Sequence, residues 1–172
     1  MPIFDFDSMH KIYGQNYKQI SKDTIIVIEG ILTLNKKLSD CIDDKDKYKI
    51  YIAPITSFYV NDKTIKNTDI RLARRMLRDY RTRSTRIERT LELWPKVIKG
   101  ENENIFPNID EADITLNTYC LYEFMVISKY LKPLLDKIDK NSNDYLMVKD
   151  LLDIYNKLNF IRDIDEKMIH NN

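Results

Sequence analysis

The run TIIVIEG, from Thr24 to Gly30, constrains the fold more than any other stretch of the chain. Its unbroken β-branched character, closed by a glycine, is the pattern of a strand buried on both faces, and such strands belong to parallel sheets covered by helices. Downstream, KYKIYI from Lys47 to Ile52 alternates and stops at Pro54, while ADITLN from Ala112 to Asn117 is a third, shorter candidate strand. Helical patterns lie between and after these runs, so the order predicts an α/β fold with a parallel sheet and flanking helices. At 172 residues and 43% hydrophobic, the chain is long enough for one domain with a real core.

The clearest helical pattern begins where Asn67, Thr68 and Asp69 offer N-cap chemistry. Ile70, Ala73, Met76, Leu77 and Tyr80 fall on one side at helical spacing, and Arg71, Arg74, Arg75, Arg78 and Arg81 fall on the other. The stretch Arg71 to Arg89 holds eight of the nine arginines of the chain and no lysine, although nineteen lysines occur elsewhere. With only Asp79 and Glu88 against those eight arginines, the stretch carries a local charge of +6 in a chain whose net charge is +1. The basicity is a site and not a general property. A switch from lysine to arginine points to guanidinium geometry, a planar fork suited to phosphate oxygens. The acids in the stretch are too few to neutralise it, which favours a bound polyanion over a merely salt-bridged surface.

Thr85 followed by Glu88 resembles a capping box, which predicts a second helix running until Pro95 interrupts it. GENENIFPNIDE, with Gly100 and Pro107, reads as a loop. Leu121, Phe124, Met125, Ile127 and Leu131 mark an amphipathic helix broken near Pro133, and Leu151, Leu152, Tyr155 and Leu158 mark another. Cys41 and Cys120 lie far apart and form no metal-ligand spacing. No apolar run approaches the roughly 18 residues of a membrane span, and no charged-then-apolar leader opens the chain. These features predict a soluble, reducing, cytoplasmic setting.

The order VIEGI, KIYI, TDIRLARRMLRDYRTR and TLELWPKVIKGENENIFPNIDEADITLN resembles the uridine kinase and phosphoribulokinase family of P-loop kinases. The likeness is greatest to the bacterial two-domain uridine kinase-like branch, and it extends from PIFDF at Pro2 to the helix LLDIYNKLNFI. The resemblance implies a single domain over residues 1–172, with a lid at about 69–95, that forms part of an enzyme passing the γ-phosphoryl of ATP, with Mg2+, to the 5′-hydroxyl of uridine or cytidine. In that family the RRxxRDxxxR segment closes over the nucleotides. By position, Arg75 would contact the acceptor nucleoside, and Arg78, the catalytic candidate, would reach the triphosphate together with Arg83. Arg71 and Arg74 would be supporting, so that Arg71→Lys should matter little. Glu29 matches an acidic position beside the magnesium, and a carboxylate ending a buried parallel strand faces the crevice where α/β proteins bind ligands. Phe4 would lie against the base, without the hydroxyl of the tyrosine usual there.

The sequence departs from that family in definite ways. Ser84 stands where a glycine usually follows the lid arginine, and His10 is offset by one position from a family histidine, with Met9 in its column. No GxxxxGKS or GxxxxGKT loop exists among the 172 residues, whose only glycines are Gly14, Gly30 and Gly100. That loop carries much of the ATP affinity in such enzymes, so efficient catalysis by this chain alone is not expected. In the family's strand order the loop's strand lies between those matched by TIIVIEG and KYKIYI. Its loss leaves unpaired edges, which predicts strand closure, self-association or a strand supplied by another chain. Two other readings stand beside the kinase part: a non-catalytic remnant that binds nucleotide or a partner, and an RNA-binding helix. The third is weakest, since apart from Tyr80 the arginine stretch lacks the aromatics that stack single-stranded bases.

Overall fold

The computed structural model describes residues 3–5, 10–14, 19–60 and 62–158. The chain divides into two compact units, Met1–Gly30 and Ile31–Asn172. In the first, strands β1 (Ile3–Asp5) and β2 (His10–Ile12) pair antiparallel, with Phe4 opposite Lys11. The predicted strand Thr24 to Gly30 does not form: Ile25 is 89% and Val27 87% exposed, and no strand pairs with the segment among the described residues. A run this apolar becomes a central strand only with a neighbour on each edge and cover on both faces. Sequence pattern alone cannot supply those neighbours.

The second unit opens with a short helix α1 (Lys36–Ser39), a 3-10 turn at Asp44–Asp46 and strand β3 (Ile50–Ala53). The hairpin β4 (Phe58–Val60) and β5 (Lys63–Ile65) follows, then helices α2 (Asn67–Thr82) and α3 (Ile87–Asn104) and a 3-10 helix at Phe106–Glu111. Strand β6 (Ile114–Asn117) and helices α4 (Leu121–Leu135) and α5 (Asn143–Lys157) complete it. Strands β3 and β6 pair in parallel, Ile50 opposite Ile114 and Ile52 opposite Leu116, so the second and third predicted strands form a small parallel sheet. The fold is therefore α/β with flanking helices. No helix among the described residues is long and apolar enough to cross a membrane.

Helix α2 is the hub of this unit, packing against both α3 and α4. Ile70, Ala73, Met76 and Leu77 are buried as their spacing predicts, whereas Tyr80 lies at the exposed end of the stripe. Its first turn is fixed by Asp69, whose Oδ2 accepts the Lys66 N–H at 2.9 Å; burial pushes this carboxyl above its ordinary pKa. Around α2 the core gathers Leu91, Phe124, Leu131, Val148 and Tyr155. Phe58 meets Phe124 edge-to-face and Phe124 meets Tyr155 at a tilt, each at 5.2 Å between centroids, which fastens the hairpin to the helices.

Helix α3 corrects three sequence expectations. It begins after Arg86, not from a Thr85–Glu88 box, because the Thr85 hydroxyl donates instead to the Arg83 carbonyl at 3.2 Å. It also runs through Pro95 and through the expected loop at Gly100, ending only at Asn104. A proline interrupts one backbone bond and crowds the turn before it, but Leu91 and Trp94 are buried on the preceding turn and Glu101 in the second turn beyond it. Anchoring on both sides holds the helix together across the break.

Candidate functional site

The arginines of α2 separate into two sets. Arg71 pairs with Glu101, a buried residue of α3, and Arg74 pairs with Glu123 of α4 while also donating to the Thr118 carbonyl at 3.3 Å. Burial pulls the Arg71 guanidinium below its ordinary pKa. The scarcity of acids within the stretch is thus misleading, because the acids come from helices far along the chain. These two arginines tie α2 to its neighbours α3 and α4.

The second set converges on one carboxylate. Arg78 donates from Nε at 3.1 Å and from Nη2 at 3.0 Å to Asp79 Oδ1, and Arg83 donates from Nη1 at 3.2 Å to the same oxygen. Arg75 Nε lies 3.4 Å from Asp79 Oδ2. Asp79 is only 5% exposed, whereas the Arg78 and Arg83 side chains are 46% and 57% exposed. Three guanidinium groups around one carboxylate leave a local excess of two positive charges at the surface. They sit in the last turns of α2 and at its C-cap, where the helix dipole favours cations. Beyond them, the Arg81 guanidinium lies 5.1 Å from the centre of the Tyr130 ring, and Arg89 donates to Glu92 at 2.6 Å.

The backbone closes the same corner. The Asp79 carbonyl accepts the N–H groups of Arg83 at 3.2 Å and Thr85 at 3.0 Å, and the turn between them holds Ser84 at φ 50°. That left-handed conformation costs a residue with a Cβ about 1 kcal/mol relative to glycine. Ser84→Gly is therefore expected to raise the unfolding free energy by about 1 kcal/mol in chemical denaturation, and an unchanged midpoint would show the turn to be unstrained. Ser84, at the position where the resemblance expects a glycine, adopts the left-handed conformation that glycine takes most readily.

Of the candidates named from sequence, Arg75, Arg78 and Arg83 are brought together. Phe4 lies in β1 and Glu29 in the stretch after it, both in the first compact unit. Glu29 is exposed and does not end a strand, so the geometry that would aim it at a metal is not present. Among the described residues no group of three or more His, Cys, Asp or Glu side chains could hold a metal ion, and Cys41 and Cys120 are free and exposed. Arg75, Arg78 and Arg83 are cations and supply no oxygen ligand to a metal. They do fit phosphates: planar donors, a net positive charge and partial exposure in one place. Asp79 was legible in the sequence only as a charge offset; its spacing of four residues from both Arg75 and Arg83 is the signal that places it between them.

Compared with models of known families, with curated proteins and with solved structures, the chain matches none.

Proposed function

We propose that this chain grips the phosphates of a nucleotide through Arg75, Arg78 and Arg83, as the arginine lid and acceptor part of a nucleoside kinase-like protein. The observation that carries the reading is the convergence of these three guanidinium groups on the buried Asp79. The order of sequence segments adds the finer part, ATP as donor and uridine or cytidine as acceptor. ATP, where bound, would supply the phosphoryl group. Arg78 and Arg83 would neutralise the charge on its phosphate oxygens, and Arg75, in the same cluster, would reach the phosphoryl group from the side on which the acceptor nucleoside is oriented. No described residue supplies a phosphate loop or a magnesium cage, so the reading assigns binding to this chain and transfer to an assembly that includes such a loop. Titration calorimetry with ATP and, separately, uridine tests it: saturable binding of both is expected. RNA binding with a steep salt dependence, in the absence of nucleotide binding, would overturn it in favour of an RNA surface.

A second reading, partner assembly, is supported by the parallel sheet. Its register puts Ile50 and Ile52 beside Ile114 and Leu116 on one face, and each of these four is at least 40% exposed. Parallel pairs are ordinarily covered on both faces. Self-association at micromolar concentration is expected in sedimentation equilibrium, with Ile52→Lys shifting the protein to monomer. A monodisperse monomer in the unaltered chain would remove this reading.

A further inference from the structure

We infer that Asp79 is a positioning residue, which makes Arg75, Arg78 and Arg83 a single pre-set receptor for a phosphoryl group; the inference rests on the phosphate-binding reading above. Asp79 acts on the cluster in two ways. Its side chain spans all three guanidinium groups, Oδ1 taking Arg78 and Arg83 and Oδ2 facing Arg75. Its backbone carbonyl accepts the Arg83 and Thr85 N–H groups and so fixes the turn from which the Arg83 side chain leaves. One residue thereby sets both the root and the tip of Arg83.

The clamp also chooses which edge of Arg78 remains for a ligand. By giving its Nε hydrogen and one Nη2 hydrogen to Asp79, Arg78 is held along one edge of its plane, and the edge formed by Nη1 and the other Nη2 hydrogen stays for a ligand. That edge presents parallel donors in the spacing that phosphate oxygens accept. A long side chain frozen in this way has already lost the freedom it would otherwise lose on binding. Asp79 itself is buried beneath the more exposed Arg78 and Arg83, so an incoming anion meets the outer edges of these arginines before the carboxylate.

Simple electrostatics and positioning predict opposite results when this carboxylate is removed. As a bare counter-charge Asp79 opposes anion binding, and Asp79→Asn should then tighten it. As a positioning residue it supports binding, and Asp79→Asn should weaken it even though the local charge becomes more positive. Inorganic tripolyphosphate is the probe, titrated into the unaltered chain, Asp79→Asn and Asp79→Glu at constant ionic strength, with folding checked by circular dichroism.

The expected result is an affinity lower by about tenfold or more in both variants, since even Glu, which keeps the charge, moves the oxygens away from Arg78 and Arg83. Equal or tighter binding by either variant overturns the inference. A wild-type chain that does not bind tripolyphosphate overturns the phosphate reading on which it rests. Nuclear magnetic resonance of the unaltered chain without ligand tests positioning separately, and remains decisive if the variants fail to fold. The Arg78 Nε–H proton is expected to exchange with water well below the rate of a free arginine, and exchange at the free rate overturns the inference.

Discussion

Arg71→Ala is expected to lower the unfolding free energy by about 3–5 kcal/mol, the cost of leaving a buried charge without its partner. Glu101 is almost wholly buried on α3, and Arg71 reaches it from the second turn of α2. The pair is costly to desolvate and contributes little as a pair, but half of it is worse than none. A domain of this size has a total stability of only about 5–15 kcal/mol, so the loss is a large fraction of the whole. Glu101→Ala should cost a similar amount, and Arg71→Met combined with Glu101→Leu should recover most of it, because an apolar pair of similar volume needs no desolvation. Urea denaturation of the four proteins gives the comparison; single variants within about 1 kcal/mol of the parent would show that the pair is not buried in solution. Phosphate binding should be insensitive to Arg71→Lys, since Arg71 faces α3 and not the Asp79 cluster.

Arg78→Ala should abolish most of the nucleotide affinity, by roughly tenfold to a hundredfold, while leaving the melting temperature nearly unchanged. The estimate follows from the loss of charge-assisted hydrogen bonds worth about 1.5–3 kcal/mol. Its fold should survive because the side chain is close to half exposed and Asp79 keeps Arg83 and Arg75 as partners. Arg78→Lys separates charge from geometry. Lysine retains the positive charge but has no planar edge to divide between Asp79 and a phosphate, so it should recover only a minor part of the affinity. In a version completed by a phosphate-binding loop, the same change should lower phosphoryl transfer markedly. Full recovery by lysine would mean that charge alone is being read.

What was legible in the sequence follows from the range of the forces involved. The α2 stripe of Ile70, Ala73, Met76 and Leu77 is a local periodicity, and it is buried as read. Strands β3 and β6 were visible as short apolar runs, and their pairing required only that both be strands. Thr24 to Gly30 reads as a buried strand from composition, but strand formation depends on neighbours that no local pattern encodes, and in the structure the run is exposed. The same limit concealed the chemistry of α2. Counting charges along the stretch left its arginines unpaired, whereas Glu101 and Glu123 reach Arg71 and Arg74 only through packing of α3 and α4. Pro95 misled in the opposite direction: its local cost is real, and burial of helix residues before and after it outweighs it. The hairpin β4–β5 escaped notice because its three-residue strands are shorter than any periodicity test resolves.

Equilibrium binding of ATP to the unaltered chain and to Arg78→Ala, measured side by side at fixed ionic strength, tests the central claim most directly. The expected result is saturable binding by the first, competed by inorganic tripolyphosphate, and at least a tenfold weaker affinity in the second. Saturable binding of equal strength by both would show that the guanidinium cluster on Asp79 does not hold the phosphates. No binding by either would leave the cluster as a means of joining the end of α2 to the turn that follows it.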